Sequence, residues 1–360
     1  MNKHVCLIKN HIVKLLIANK SALDMFAILP IFKLKYTPCE IWHEIYKDAQ
    51  DNQVLVHKLK LLFDDLQTAK YIDINELIDG SLRNSGSIQI PRTLNSSRSY
   101  KVLGKCNNIL GFKSYDIAKE LTRQCIDNLK LINNQLLIKH IMAESKKSYD
   151  VGIMHLVDHF ERLSKLVATE IINNPEDPWR IIIKFLKICN HLYNMHNYHS
   201  LFAIISGLST KLIYESIMNN NIAKFEMYYE LLSFNKNYNL YRNDINKHSD
   251  AIPYIGVLMG DIRHLLECKL FINDDEDINI NLINSITGLL KTINPMKYTA
   301  IPDTNYDIYY YFITTTLITN NEYIDIKLES ILSQSVKNKL INRLFTVSYT
   351  HLTLPTTSRV

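Results

Sequence analysis

Apolar residues recur at helical spacing along most of this chain. Between residues 181 and 193, six of them fall on one stripe of a helix: Ile182, Phe185, Leu186, Cys189, Leu192 and Tyr193. The same spacing between Met25 and Tyr46 predicts a shorter helical segment. Strict alternation, the pattern of a half-buried strand, is scarce. The pattern therefore predicts an all-α protein.

The periodicity lapses between residues 79 and 105, where Ser, Asn, Gly and Pro accumulate. We predict an N-terminal helical domain in residues 1–80, a linker in 81–110 and a larger helical domain in 111–345. The last residues, Thr346–Val360, follow abruptly and resemble a translated sequencing adapter rather than evolved protein. We exclude them from the fold and expect the native C-terminus to be missing.

Composition excludes several classes of protein. Glycine accounts for only nine of 360 residues, whereas average usage is about 7%. The strings GxGxxG, GxxxxGK[ST] and GxSxG do not occur, so the glycine-dependent nucleotide-binding and hydrolase motifs are absent. The net charge of +5 is spread along the chain, which does not favour nucleic acid as a partner.

The apolar runs and the cysteines indicate where in the cell the protein is expected. No apolar run reaches the 18 or more residues of a membrane-spanning helix, and no signal-peptide core follows the first residues. The six cysteines are scattered without a CxxC pair, which suits reduced thiols better than disulfides or a zinc site. We expect a soluble cytoplasmic protein.

A histidine pair suggests one kind of chemistry. His155 and His159 are one helical turn apart with Asp158 beside them, a spacing that can bind a transition metal. The glutamate of an HExxH motif and an obvious third ligand are both missing. A metal-dependent enzyme is therefore the weakest of our hypotheses, and we predict neither a metal nor a cofactor.

Three strings in the C-terminal half are more specific. The first is NYHSLFAIISGL at 197–208, the second NYNLYRNDI at 237–245, and the third IPYIGVLMGDI at 252–262. The last two predict a helical hairpin. Ser249 or Asp250 is available to cap its second helix, and Pro253 suits the first turn.

These strings resemble the catalytic domain of Ras-type guanine-nucleotide exchange factors, whose signatures are an NYN–apolar–SGL helix, an NYxxYR helix and a PxxGxxLxDL helix. Residues 116–122, 159–167 and 280–282 resemble further parts of that domain, in the same order. The similarity covers about 111–345. Residues 21–66 resemble the last part of the Ras exchanger motif, a helical domain that braces the catalytic one.

The resemblance implies a GTPase regulator rather than an enzyme. Such a protein binds a Ras-like small GTPase and promotes GDP release, so exchange factor and nucleotide weaken each other's binding by the same factor. In the family, one helix of a hairpin displaces a switch region, and a carboxylate disturbs the magnesium and phosphate site. Alignment places that helix at about Pro253–Glu267. Glycine scarcity fits this reading, because the phosphate-binding loop belongs to the partner.

The resemblance also assigns residues. The wedge residues, counted as catalytic, are Arg263 and Glu267. The predicted GTPase contacts are Glu161, Phe202, Leu208, Ser209, Gly260 and His264. The predicted architectural residues are Asn197, Tyr198, Asn237, Tyr238, Tyr241, Arg242, Pro253, Gly256 and Asp261, together with Phe160. Alternatives stay open, since the apolar contacts suit a core equally well and Glu267 would also suit a surface pair with Arg263.

Four positions depart from the family pattern. Glu161 replaces a usual Asn, Leu166 a Trp, and Ser209 a frequent Asn. Arg263 stands where a small or apolar residue is expected. These departures support an alternative hypothesis, a degenerate domain that binds a GTPase as a scaffold or decoy without releasing its nucleotide. The sequence leaves open which GTPase is bound, the oligomeric state, and recruitment to membranes through the partner.

Overall fold

The structure, a computed structural model, describes residues 3–68, 108–142 and 150–334, except for 19, 33, 35, 221, 273–276, 295, 296 and 299–301. The N-terminal helices are α1 (Lys3–Ile17), α2 (Leu23–Ala27), α3 (Pro38–Asp48) and α4 (Gln53–Thr68). The next six are α5 (Ser114–Leu129), α6 (Asn134–Met142), α7 (Val151–Asn173), α8 (Pro178–Asn194), α9 (Tyr198–Leu208) and α10 (Lys211–Met218). The last six are α11 (Ala223–Leu231), α12 (Asn239–Ile245), α13 (Ile255–Leu266), α14 (Ile280–Lys291), α15 (Tyr306–Thr314) and α16 (Asn321–Gln334).

Two 3₁₀ turns and one two-stranded ribbon complete the described architecture. Single 3₁₀ turns lie at Leu29–Phe32 and Ile109–Gly111. A small antiparallel ribbon, β1 (Phe271–Ile272) and β2 (Asp277–Ile278), connects α13 to α14. The predicted all-α class is confirmed.

Local sequence explains where several helices begin. Thr37 and Glu40 form a capping box at the start of α3, with Pro38 in the first turn. Asp150 caps α7, and Asp177 caps α8, by accepting a hydrogen bond from a backbone N–H of the first turn. These caps use donors that the first helical turn leaves unpaired.

Among the described residues, the buried apolar side chains form two cores. The first is built on α8, α9 and the C-terminal half of α7, and α15 and α16 pack against it. Helix α9 approaches α7 closely because Gly207 has no side chain: a Cβ there would lie 2.5 Å from the backbone oxygen of Ser164. The second core combines α1–α4 with α6, α13 and α14.

The N-terminal helices therefore pack against the helices that carry the third motif string. Gln135 on α6 donates a hydrogen bond to the backbone oxygen of Phe26 (2.8 Å), and Lys291 on α14 pairs with Asp24 (2.7 Å). The ring of His4 stacks on Phe271 of the ribbon, with 3.9 Å between ring centroids. A brace requires contacts of this kind, although similarity to the exchanger motif stays a prediction.

The predicted boundaries are described only in part. Most of the predicted linker 81–110 and all of Thr346–Val360 lie outside the described residues. Ile109 is fully buried, and its backbone N–H donates to Glu170 (3.1 Å), so the larger domain includes residues that we assigned to the linker. In the described part of the chain no single helix is long and apolar enough to cross a membrane, although the sharply bent pair α9 and α10 meets that test jointly.

Candidate functional site

The first and third motif strings meet at Asn197. Its side-chain oxygen accepts a hydrogen bond from the backbone N–H of Ser200 (3.0 Å) and caps α9, while its NH₂ group donates to Thr122 on α5 (3.2 Å). The backbone on either side of Asn197 pairs with Ile252 (2.9 and 3.1 Å). An amide donates and accepts at once, so this residue type can fix the start of α9 to two other segments.

Two tyrosine hydroxyls connect the second string to the others. Tyr198 on α9 donates to Asp244 on α12 (2.8 Å). The hydroxyl of Tyr241 on α12 accepts a hydrogen bond from the backbone N–H of Tyr254 (3.0 Å). Burial, and then Asp244, raises the pKa of Tyr198, and burial raises the pKa of Tyr241. Both phenols therefore stay protonated at neutral pH and keep α12 in place.

A two-pronged ion pair holds α12 against α13. Two nitrogens of the Arg242 guanidinium donate to the two carboxylate oxygens of Asp261, each at 2.7 Å. The third, Nε, donates to the backbone oxygen of Asn237 (2.8 Å), which lies in a left-handed turn with Tyr238 at φ 57°. Hydrogen bonding to Asp261 raises the pKa of Arg242. The planar guanidinium explains why arginine suits this position better than lysine.

The predicted hairpin needs correction. Helix α12 has only seven residues, and α13 packs along α14 and α6 instead of along α12. The N-cap of α13 is Tyr254, without a side-chain cap bond, so neither Ser249 nor Asp250 caps it and Pro253 precedes the helix. A long antiparallel pair cannot form with α12, whereas the short β1–β2 ribbon brings α14 back beside α13.

Gly256 makes room for an aromatic cluster. A Cβ at Gly256 would lie 2.5 Å from the ring and hydroxyl of Tyr254, which folds back over the helix start. The Tyr254 ring stacks on Phe202 of α9 (centroids 4.3 Å apart) and on Phe160 of α7 (5.3 Å). Tyr254 and Phe160 are half-buried, so together they carry an aromatic surface from α7 to α13.

The C-terminal end of α13 is exposed to solvent. His264 and Glu267 are 83% and 72% exposed, and their side chains approach within 3.6 Å. Among the described residues Arg263 forms no ion pair, so the alternative pairing of Glu267 with Arg263 is wrong. Gly260 lies on the same side, with open space beyond its Cα. The wedge residues thus present both charges to solvent.

Helix α7 exposes an apolar row that the sequence analysis missed. Val151, Met154 and Val157 recur every three residues and are 54%, 39% and 40% exposed. Phe160 continues this row towards Tyr254, and Glu161 at its edge pairs with Lys165 (3.2 Å). We call Val151, Met154, Val157 and Phe160 the α7 row. Its three-residue spacing was visible in the sequence but is equally typical of a buried face.

Two of the predicted contacts lie in the core. Leu208 is fully buried and Phe202 is 7% exposed, so neither presents a surface to a partner and Phe202 instead supports Tyr254 from beneath. Ser209 is half-buried at the end of α9, where its hydroxyl donates to the backbone oxygen of Ile205 (2.6 Å). The cause is the burial of α9 on nearly all sides.

The histidine pair does not form a metal site. The Nε2 atom of His159 lies 3.2 Å from the hydroxyl of Ser200, and burial lowers the pKa of His159 to about 3. The side chain of His155, in contrast, is exposed. Within the described residues no group of three or more His, Cys, Asp or Glu side chains is placed to hold a metal. Buried His199 donates from Nε2 to the backbone oxygen of Leu156 (2.9 Å), and burial lowers the pKa of His199 to about 4.

Comparison with known proteins identifies the domain. Residues 116–294 match the family model of the RasGEF domain. The chain contains a RasGEF domain. The match extends from the first turn of α5 beyond the end of α14, and it includes all three motif strings and the α7 row.

Several proteins of similar sequence are named Ras guanine nucleotide exchange factors. The chain is similar to Ras guanine nucleotide exchange factor V of Dictyostelium discoideum, with 28% identity over 283 residues, 75% of this chain and 13% of that protein. It is similar to factor A of the same organism, with 27% identity over 198 residues (52% and 33%), and to factor M, with 22% identity over 198 residues (52% and 21%). The chain therefore spans a third or less of the length of each of these relatives.

Proposed function

We propose that this chain is a guanine-nucleotide exchange factor, which binds a Ras-like small GTPase in the cytoplasm and accelerates GDP release without covalent chemistry. The RasGEF domain match carries this proposal. The hydrogen bonds that connect the three motif strings support it. They are the ion pair Arg242–Asp261 (2.7 Å), the bond from Tyr198 to Asp244 (2.8 Å) and the backbone bridge between Asn197 and Ile252.

The GTPase would bind across α7 and α13. The α7 row is an exposed apolar strip, and such strips on soluble proteins commonly mark interaction surfaces. Stacking of Phe160 on Tyr254 continues it to α13, where Gly256 and Gly260 expose the helix backbone. An interface that remodels its partner buries about 2,000 Å² or more, so it would include several of these elements.

The inserting element would be the α13–α14 pair. At the end of α13, Glu267 can bring a carboxylate towards the magnesium and phosphate region of the partner. On α14 the exposed side carries Asn281, Asn284 and Ser285, and Gly288 leaves open space. Because α13 and α14 pack against each other, either helix could be the one that enters the nucleotide site of the GTPase.

The decoy alternative has one observation in its favour. The Ser209 hydroxyl donates to its own helix at Ile205 (2.6 Å), so it is already used within the protein. An asparagine in that position would offer two further donors to a partner. Loss of one interface hydrogen bond is worth about 0.5–1.5 kcal/mol, which weakens binding but does not by itself abolish exchange.

Fluorescent-GDP release from a panel of Ras-like GTPases tests the proposal. We expect acceleration with at least one of them and loss of that acceleration in the double variant Met154→Asp, Val157→Asp. Ile326→Asp on α16 is the matched control, because Ile326 is 61% exposed and lies outside the proposed surface. No acceleration by the unaltered chain with any GTPase, alongside measurable binding, would favour the decoy.

A comparison of variants on α13 and α14 shows which of these two helices enters the nucleotide site of the GTPase. If Glu267 acts on the magnesium and phosphate site, Glu267→Gln slows GDP release and leaves the melting temperature unchanged. The control is Glu329→Gln, an exposed glutamate on α16. If α14 leads instead, Gly288→Gln blocks release while Glu267→Gln does not. Unfolding of Glu267→Gln at ordinary temperature would contradict its placement at an exposed helix end.

A further inference from the structure

A groove lies beside the proposed GTPase-binding surface, where α15 crosses α5 and α7. Its volume is about 530 Å³. The α15 wall is aromatic and apolar: Tyr306 is 65% and Ile313 48% exposed, and Tyr309 lies between them. Helix α15 lies beyond residue 294, the last residue of the family match. The family comparison therefore says nothing about this wall.

The two arginines of the groove are already used. Arg123 pairs with Glu120 (2.6 Å) and with Asp127. Arg162 donates to the backbone oxygens of Phe312 (2.5 Å) and Thr315 (2.7 Å), which lie at the end of α15. Both guanidiniums thus donate to groups of the protein itself, and the hydrogen bonds of Arg162 fix α15 beside α7.

The charges that remain are mostly negative. Asp158 lines the groove, and an adjoining pocket of about 390 Å³, which shares Thr304 and Tyr306 with it, is lined by further carboxylates: Asp116, Asp303 and Asp307. Within the described residues none of these four carboxylates forms an ion pair. Among the described residues of the two linings, the basic side chains without an ion pair include Lys119, His155 and Arg162, whose hydrogen bonds go to backbone oxygens. The combined groove is thus acidic on one side and aromatic on the other.

We propose that this groove binds a basic peptide, in which lysines or arginines flank an apolar side chain. The apolar side chain would pack on Tyr306 and Ile313, and the basic groups would lie over Asp158, Asp303 and Asp307. Exposed Tyr306 also offers a ring face to a cation, as Tyr309 already does to Arg123 at 5.9 Å. Anionic lipids and nucleic acids carry the wrong charge for this surface.

The probe is a short fluorescein-labelled peptide with lysines and arginines around a pair of leucines. Its partner probe has glutamate in place of every basic residue. Binding to the whole chain is followed by fluorescence anisotropy at physiological ionic strength, without any GTPase. The result is therefore independent of the proposed exchange activity. We expect the basic probe to bind and the acidic probe not to bind.

Two pairs of variants locate the binding. Asp303→Asn with Asp307→Asn removes two groove carboxylates, and Glu230→Gln with Asp325→Asn removes two exposed carboxylates elsewhere. We expect the groove pair to weaken binding about five-fold or more. The control pair should change the binding free energy by less than half as much. Ile313→Ser tests the apolar wall, with Ile326→Ser as its control.

Three results would overturn the proposal. The first is equal weakening by groove and control variants, which would show general charge attraction. The second is no binding of the basic probe. The third is a concentration-dependent dimer in sedimentation that Ile313→Ser dissociates, because the groove would then belong to a second copy of the chain. Circular dichroism of each variant shows whether a loss of binding reflects unfolding.

Discussion

Breaking the ion pair between Arg242 and Asp261 should separate two properties of this protein, its stability and its proposed exchange activity. The pair joins α12 to α13 by two hydrogen bonds of 2.7 Å, and the two side chains are 32% and 24% exposed. An exposed pair contributes about 0.2–1 kcal/mol, and removing one partner of a buried pair costs about 3–5 kcal/mol. With about a quarter to a third of each side chain exposed, we expect an interaction energy of about 1–2 kcal/mol.

A double-mutant cycle measures that energy. The variants are Arg242→Met, Asp261→Asn and their combination, and urea unfolding gives the free energy of each. The two apolar cores do not depend on this pair, so all three variants should remain folded. Arg242→Lys is the informative conservative variant, because it keeps the charge but cannot reproduce the fork or the bond to Asn237.

The same variants should also slow GDP release. The reason is geometric: without the pair, α12 and the Asn237 turn no longer fix the start and side of α13. We expect Asp261→Asn to lower the release rate about ten-fold or more, equivalent to about 1.4 kcal/mol of activation free energy. A coupling energy below about 0.3 kcal/mol, or full exchange activity in Asp261→Asn, would refute the reasoning.

Two further predictions concern the junction of α7, α9 and α13. Burial lowers the pKa of His159 to about 3 and that of His199 to about 4. Below pH 6.5 the folded state therefore binds fewer protons than the unfolded state. We expect the free energy of unfolding to fall by about 2–3 kcal/mol between pH 7 and 5.5. Urea unfolding at both pH values checks this, and a loss unchanged in His159→Gln would contradict it. Gly260→Ala gains helix propensity in the interior of α13, about 1 kcal/mol, whereas Gly256→Ala lies in the first turn and displaces Tyr254. Thermal unfolding should therefore rank Gly260→Ala clearly higher. Equal melting temperatures would show that Tyr254 does not depend on Gly256.

The sequence identified the motif residues better than it located their neighbours. The predicted helix Pro253–Glu267 is observed as Ile255–Leu266, and its apolar stripe is buried as the 3.6-residue period indicates. The bidentate contact of Arg242 with Asp261 depends on the tertiary placement of α12, which no local pattern specifies. The sequence pattern therefore predicted the helix and its buried face but not which side-chain atoms meet.

Burial explains the errors. Helix α9 is apolar on nearly every side, so its pattern contains no polar face from which the exposure of Phe202 or Leu208 could be predicted. The α7 row has the reverse problem, since Met154 and Val157 look like core residues and are exposed. The pairing of α13 with α14 depends on a two-residue ribbon, which is too short to give an alternating pattern.

The affinity of the chain for the nucleotide-free form of its GTPase, compared with the GDP-bound form, tests the central claim most directly. An exchange factor must bind the nucleotide-free form more tightly by the same factor by which it weakens GDP binding. We predict a preference of at least about ten-fold, equivalent to about 1.4 kcal/mol of coupling free energy, measured by titration calorimetry. Equal affinity for the two forms would contradict exchange activity and leave a GTPase-binding scaffold.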